Sequence, residues 1–170
     1  YPIYQGNLFY NRLRLNVPHS YQEMFAYFKT QNKDDRILNL PIVWNWGWVV
    51  YDWGYTGSGF LWYGLDQPIV DRSFDVWSKY NEQFYWQFDH ALLENDLVLF
   101  ETVLDQYQIT WLLVDDSLIV DNSKKQQYDN LEKLIAQTQT FHLEKEFDHL
   151  KLYQANQQGQ LIEPINQVEK

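Results

Sequence analysis

Tryptophan and glycine are concentrated in one stretch of this 170-residue chain, and that stretch most constrains the fold. Seven of the eight tryptophans fall between Trp44 and Trp86, around the glycine-rich run 46–64. Large aromatic side chains bury much apolar surface, whereas glycine adopts backbone conformations that other residues avoid. The combination predicts a long, structured, aromatic loop over about residues 42–80. Long structured loops in compact domains usually carry function.

Composition narrows the class of protein. The chain is long enough for one domain, and 45% of its residues are hydrophobic, which suffices for a buried core. Its net charge of −10 argues against nucleic acid and anionic lipid head groups as direct partners, because both attract basic surfaces. The sequence contains no cysteine, so disulfide and thiolate chemistry are excluded. No apolar run approaches the length of a membrane span.

Periodicity outside the aromatic loop predicts alternating strands and helices. Strand-like patterns occupy 13–17, 36–41, 109–115, 141–146 and 150–155, and helical spacing occupies 20–31, 82–107 and 124–137. Ser20 and Glu23 have the form of a capping box, and Asp96 is a candidate N-cap within the second helical stretch. This order predicts an α/β or α+β domain with helices packed on a small mixed sheet. We expect one domain over 1–155 and a polar tail over 156–170, cut from a longer polypeptide.

Four motifs follow one another in a recognisable order: Pro41 at a strand end, Tyr51-Asp-Trp-Gly-Tyr55, Gln67-Pro-Ile-Val-Asp-Arg72, and the strand-containing segment 104–115. This order resembles the extracytoplasmic domains of polytopic bacterial membrane proteins with the GT-C glycosyltransferase architecture, in particular the YfhO-like and arabinofuranosyltransferase-like groups. The opening residues 1–6 resemble the stretch that follows the last membrane spans in such proteins. The acidic catalytic loop of GT-C enzymes has no counterpart in this chain. The segment 51–55 resembles the Trp-Trp-Asp-Tyr-Gly motif of oligosaccharyltransferases in composition only, so its peptide-reading role is not carried over.

The resemblance implies a non-catalytic domain of a membrane-bound, glycosyltransferase-like protein on the extracytoplasmic face of the cell membrane. Its partners would be its own transmembrane region and a glycan or lipid-linked glycan, and its role would be to shape the acceptor site or to bind saccharide. Two alternatives stay open. One is a structural or interaction domain that docks on its membrane region or on a partner protein, and the other is a free-standing carbohydrate-binding or hydrolytic protein. Whether the parent protein is an enzyme is left open.

Aromatic rings beside carboxylates suit saccharides, because sugars present C–H faces that stack on rings and hydroxyls that bond to carboxylates. The candidate saccharide-binding residues all lie in the loop: Asp52, Trp53, Tyr55, Trp62, Tyr63, Asp71 and Arg72. The competing interpretation is that the rings fill a core and bond through their N–H groups to buried acceptors. For Asp71 and Arg72 an ion pair that fixes the loop is favoured over phosphate binding by the arginine.

No catalytic residue, cofactor or metal site is predicted. The four histidines are scattered without the spacing of a zinc site, and His142 and His149 are expected on the surface of the last hairpin. The acidic segment 115–122 lacks the glycine and closing glutamate of a calcium loop, so it is expected to be a turn after a strand.

Overall fold

The computed structural model describes residues 15–42, 48–71 and 78–156, which build a five-stranded mixed sheet and four α-helices. The helices are α1 (His19–Phe28), α2 (Lys79–Glu94), α3 (Leu97–Gln106) and α4 (Lys125–Gln137). The strands are β1 (Ile37–Leu40), β2 (Val49–Val50), β3 (Thr56–Gly57), β4 (Ile69–Val70), β5 (Trp111–Asp115), β6 (Phe141–Phe147) and β7 (Leu150–Ala155). The mixed α/β class expected from the sequence is confirmed. The predicted tail lies outside the described residues except for Asn156, and the boundary at 155 stays a prediction.

The main sheet has the strand order β4-β1-β5-β7-β6. Strand β1 runs parallel to β4 and β5, whereas β7 is antiparallel to both β5 and β6. The strands predicted near 36, 109, 141 and 150 are therefore confirmed. The strand expected over 13–17 is wrong for residues 15–17, which are irregular and exposed, while 13 and 14 lie outside the described ranges. These residues are exposed and lead directly into Pro18 and α1, so the alternation of the segment is not matched by a buried face.

The sheet separates two apolar clusters because side chains alternate along each strand. Leu38 and Leu112 point towards α2, α3 and α4, whose apolar faces form one cluster with them. Ile37 and Trp111 point to the opposite side, where α1 and the aromatic loop cover them. The loop is thus part of one layer of the domain, and its position depends on the sheet beneath it.

The starts of α3 and α1 differ in how well the local sequence predicts them. Asp96 caps α3, since its side chain accepts a hydrogen bond from the Leu99 N–H at 3.0 Å, as the sequence predicts. The capping box at Ser20 is wrong. Helix α1 begins at His19 after Pro18, whose extended backbone starts the helix without a side-chain cap, and Ser20 lies buried in the first turn.

The aromatic loop contains short regular elements of its own. Strands β2 and β3 pair antiparallel, the 3-10 turn Phe60–Tyr63 follows, and β4 joins the main sheet. Within the part of the chain that the structure describes, no helix combines the length and apolar character required to cross a membrane.

Candidate functional site

The aromatic hairpin, defined here as residues 49–57, leaves the carboxyl end of β1 and is held against the segment that follows β5. Three main-chain contacts hold it: Tyr51 forms a bridge with Leu118, the Asp52 N–H donates to Ser117 O at 2.9 Å, and the Ile119 N–H donates to Val50 O at 2.8 Å. Gly54 closes its turn with a φ of +101°, a conformation that favours glycine. The hairpin is therefore fixed to the carboxyl edge of the parallel strands, where ligands bind in open α/β sheets.

Five rings pack around this hairpin and form its ring cluster: Tyr21, Tyr51, Trp53, Tyr55 and Phe60. Their centroids lie between 5.1 and 6.1 Å apart in tilted or edge-on pairs. Trp53 contacts each of the other four rings and is half-buried, as is Tyr55. For these two candidate residues the structure therefore shows the core packing that the competing interpretation described.

A fully buried carboxylate lies beneath the ring cluster. Asp115, the last residue of β5, accepts from the Tyr21 hydroxyl at 2.6 Å, and its other oxygen accepts from the Ser117 hydroxyl at 2.6 Å and the Ser117 N–H at 3.0 Å. The Trp53 indole donates to the Tyr21 hydroxyl at 3.2 Å. Burial raises the pKa of Asp115 despite these bonds, and burial together with the Asp115 charge raises the pKa of Tyr21. A chain of hydrogen bonds thus runs from the hairpin to the sheet.

His149 completes the surroundings of this carboxylate. Only 18% of its side chain is exposed, its Nε2 lies 4.0 Å from Asp115 Oδ1, and its ring packs 5.2 Å from that of Tyr21. The expectation that His149 is a surface residue is therefore wrong. The reason is the turn between β6 and β7, which folds onto the end of β5 so that the Asp116 N–H donates to His149 O at 3.0 Å. His142 is exposed, as expected.

The 3-10 turn Phe60–Tyr63 carries the most exposed rings of the candidate site. It starts at Gly59 with a φ of +70°, and it leaves Trp62 47% exposed and Tyr63 91% exposed. The Trp62 indole donates to Asp71 Oδ2 at 3.0 Å, so the ring is oriented by a carboxylate. Unlike Trp53, Trp62 presents much of its surface to solvent.

Trp62 also lines an open groove of about 330 Å³, together with Leu65, Gln67, Pro68 and Ile69. We refer to it as the Trp62 groove. Gln67 is buried, and its side-chain amide donates to Phe28 O at 2.8 Å, which fixes the groove to the end of α1. An exposed aromatic wall, apolar neighbours and a polar side chain beneath them are the elements of a small-molecule site.

Electrostatic effects connect the hairpin with Asp71 and Tyr63. After burial and the Asp115 charge, the Asp71 charge is the next cause of the raised pKa of Tyr51. After burial, Tyr63 is the next cause of the raised pKa of Tyr55. Asp71 and Tyr63 therefore lie within electrostatic reach of the hairpin.

The remaining candidate residues differ in exposure, and some of them lie outside the described residues. Asp52 is exposed in the hairpin turn beside Trp53, whereas Arg72 lies outside the described residues, as do Trp44, Trp46 and Trp77. Asp66 is exposed and accepts from Lys33 Nζ at 2.8 Å, and this hydrogen bond lowers the pKa of Asp66. Sequence reasoning missed Asp115, Tyr21 and Gln67. The only local signal for Asp115 was an aspartate that directly follows four apolar strand residues.

Within the described ranges, no group of three or more histidine or acidic side chains is arranged to hold a metal ion. The acidic segment after β5 is a turn, as expected, in which Asp115 bonds to Ser117. A second, smaller concavity of about 160 Å³ lies beyond this turn, between Asp116 and Glu132 on α4.

No protein-family profile and no curated protein matches this sequence. Among solved structures, the C-terminal globular domain of an oligosaccharyltransferase from Archaeoglobus fulgidus is similar with a TM-score of 0.51 and 14% identity, covering 84% of this chain and 100% of that domain. Arabinofuranosyltransferase AftD from Mycobacteria is similar with a TM-score of 0.58 and 13% identity over 91% of this chain. A mutant of AftD gives a TM-score of 0.56 and 13% identity over 83% of this chain.

The match to AftD covers only 13% of that protein, so this chain has the size of one of its parts. The structural neighbours belong to GT-C membrane glycosyltransferases, and the resemblance expected from the sequence is confirmed as a likeness of fold. At this level of identity the likeness shows the fold alone.

Proposed function

We propose that this chain is a non-catalytic extramembrane domain of a GT-C-like membrane glycosyltransferase, and that it binds saccharide on the surface formed by Trp62, Tyr63 and Asp71. It would lie on the extracytoplasmic face of the membrane beside its own transmembrane region, where a glycan or lipid-linked glycan reaches it. The fold supports the first part, because its structural neighbours are parts of glycosyltransferases. The observation that carries the proposal of saccharide binding is the exposed indole at the Trp62 groove.

The chemistry of this surface fits a sugar. The apolar C–H face of a pyranose or furanose ring stacks on an aromatic ring, and Trp62 offers a half-exposed indole for that contact. Asp71 accepts the indole N–H through Oδ2, which places a carboxylate, a group that bonds to sugar hydroxyls, at the edge of the ring. Tyr63 adds a second ring and a hydroxyl that both donates and accepts. Stacking and hydrogen bonding are thus available side by side.

The aromatic hairpin has a different role in this proposal. Trp53 and Tyr55 contact Phe60, the first residue of the turn that carries Trp62. The hairpin itself is tied to Asp115 through Tyr21. The ring cluster therefore fixes the turn in one conformation, which lowers the entropy that a sugar must remove on binding. Its rings support the exposed rings of Trp62 and Tyr63, which are the rings that contact the sugar in this proposal.

The non-catalytic assignment is supported by the bonds that Asp66 and Asp71, the described carboxylates of the segment 60–71, already make. Asp66 is engaged by Lys33 Nζ, and Asp71 by the Trp62 indole. A glycosidase needs two carboxyl groups across one bond, one of them with a raised pKa to act as the acid. The pKa of Asp66 is lowered, which is opposite to the requirement for an acid.

The test is binding of the 170-residue chain to a printed array of bacterial oligosaccharides that includes arabinofuranosyl glycans, followed by calorimetric titration of the glycans that bind. Trp62→Ala is the diagnostic variant. Trp86→Ala is the matched control, since Trp86 is 64% exposed but lies on α2, in the layer across the sheet. Loss of a ring that covers about 60 Å² of sugar, at about 25 cal/mol per Å², weakens binding about tenfold.

We expect Trp62→Ala to bind the glycan about tenfold more weakly than the wild-type chain, and Trp86→Ala to bind it with unchanged affinity. Equal losses in both variants, or no bound glycan on the array, would contradict the saccharide role. Turnover of an activated glycoside by the isolated chain at ordinary enzyme rates would contradict the non-catalytic role.

A further inference from the structure

Gln67 is the buried polar residue among those that line the Trp62 groove. It is 4% exposed, and its Nε2 donates to Phe28 O at 2.8 Å and to Asn32 O at 3.4 Å. Both partners are carbonyl oxygens, which only accept hydrogen bonds, so they fix the orientation of the side-chain amide. The two N–H groups of Gln67 thus have acceptors within the protein, and the polar atom that remains is an acceptor.

That acceptor, Gln67 Oε1, is buried, and no described residue donates a hydrogen bond to it. A buried acceptor without a donor is costly and uncommon in folded proteins. Because Gln67 lines the groove, a ligand that enters the groove can supply the donor. The orientation of the amide therefore favours ligands that present an N–H or O–H group to Gln67.

The other side chains that line the groove limit the kind of donor. Besides Trp62 and Gln67 they are Leu65, Pro68 and Ile69, all of them apolar. A hydroxyl is an acceptor as well as a donor, and its lone pairs lose water against apolar walls without gaining a new partner. The groove therefore suits a donor that is accompanied by apolar surface.

A secondary acetamide group has this combination. Its amide is planar and trans, so the N–H and the acetyl methyl lie on the same side of the C–N bond and the carbonyl lies on the other. With the N–H on Gln67 Oε1, the methyl faces into the groove and the carbonyl faces out to water. The groove of about 330 Å³ is at the lower end of small-molecule sites, roughly 300–1,000 Å³, and so suits one sugar residue.

The charges around the groove disfavour acidic sugars. Among the described residues that line it, none is basic. Asp71 bonds to the Trp62 indole and adds negative charge at the edge of the ring, and Lys33 Nζ is engaged by Asp66 at 2.8 Å. A carboxylated or phosphorylated sugar would meet repulsion from Asp71, whereas a neutral sugar would not.

We propose that the Trp62 groove selects a neutral acetamido sugar, whose N–H donates to Gln67 Oε1 and whose methyl packs against Leu65 and Ile69 while its ring stacks on Trp62. This inference rests on the proposed saccharide role and specifies the class of sugar. It assigns Gln67 as the residue that determines specificity.

The test is titration of the ¹⁵N-labelled chain with methyl glycosides of the gluco and galacto series that differ only at carbon 2. The substituents are acetamido, hydroxyl, O-acetyl and formamido. The O-acetyl ester keeps the shape of the acetamide and lacks its N–H, and the formamide keeps the N–H and lacks the methyl. Binding is followed by the indole resonance of Trp62, which Trp62→Ala assigns.

We expect the acetamido sugar to bind about tenfold more tightly than the O-acetyl sugar, because the ester leaves Gln67 Oε1 without a donor. It should bind about fourfold more tightly than the formamido sugar, which buries one methyl group less. Equal binding of the acetamido and O-acetyl sugars overturns the inference, since a water molecule then serves Gln67 Oε1 equally well with either ligand.

Two variants connect these preferences to the groove. Gln67→Met should bind the acetamido and O-acetyl sugars equally, and Ile69→Thr, which keeps a β-branched side chain in β4, should reduce only the preference over the formamido sugar. Far-UV circular dichroism checks that each variant is folded. If Gln67→Met does not fold, the comparison of the acetamido and O-acetyl sugars on the wild-type chain still decides the inference. A preference for acetamide that survives in folded Gln67→Met overturns the role of Gln67.

The same titrations separate this inference from the proposed function. Shifts of the Trp62 resonance that are equal for acetamido and hydroxyl sugars leave saccharide binding standing and reject the acetamido preference. A Trp62 resonance that moves with none of the sugars rejects both.

Discussion

Tyr21→Phe tests how the aromatic hairpin is held to the sheet. The hydroxyl that this substitution removes is fully buried, donates to Asp115 Oδ2 at 2.6 Å and accepts from the Trp53 indole at 3.2 Å. A hydrogen bond to a charged group contributes about 1.5–3 kcal/mol, and the Trp53 N–H also loses its acceptor. We expect the free energy of unfolding to fall by about 2–3 kcal/mol, equivalent to a decrease in Tm of about 4–12 °C for a chain of this size.

The assay is equilibrium unfolding in urea, followed by tryptophan fluorescence and by far-UV circular dichroism. Tyr27→Phe is the control on the same helix, because its hydroxyl makes only an exposed contact with Glu144 at 3.3 Å. It should cost less than about 0.5 kcal/mol. If Tyr21→Phe costs no more than Tyr27→Phe, the Asp115 network does not hold the hairpin and the supporting role of the ring cluster is refuted.

Three further substitutions test separate parts of the account. Burial raises the pKa of Asp115, so the folded state binds the Asp115 proton more tightly than the unfolded state does. The stability that this protonation contributes is lost as pH rises through the folded pKa. Asp115→Asn should therefore flatten the rise in stability that the wild-type chain shows in urea titrations as pH falls towards about 4. Gly64→Ala places a Cβ against the ring of Phe25 and should lower the free energy of unfolding by about 1–3 kcal/mol, with no change as the contradicting result. Asp96→Ala removes the cap on Leu99 N–H and should cost about 1 kcal/mol by thermal melting, and an unchanged melting temperature would contradict the capping role.

Local patterns were sufficient to predict most regular elements. Strand β5 is a continuous apolar run, α4 has helical spacing, and the break between α2 and α3 is marked by Asn95 and Asp96, whose capping roles are local. Errors occurred where tertiary context decides. The segment 13–17 alternates like a strand, yet its described residues are irregular and exposed, and none of them pairs with a strand of the sheet.

The sequence indicates the segment that carries the candidate site, but it does not indicate the geometry of that site. Trp53 and Trp62 occur in similar aromatic and glycine-rich surroundings, so sequence alone does not separate the packed ring from the exposed one. The 3-10 turn after Gly59 and the ring cluster make that distinction. The link from Tyr21 to Asp115 joins residues 94 positions apart, and no local pattern carries such a contact.

The most direct test of the central claim is the indole N–H spectrum of the ¹⁵N-labelled chain during titration with a glycan that binds on the array. The chain has eight tryptophans, and Trp62→Ala and Trp86→Ala assign the two resonances that matter. The account predicts that the Trp62 resonance shifts with saturation while that of Trp86 stays in place. An unmoved Trp62 resonance, or equal shifts of both, would contradict saccharide binding at the Trp62 groove.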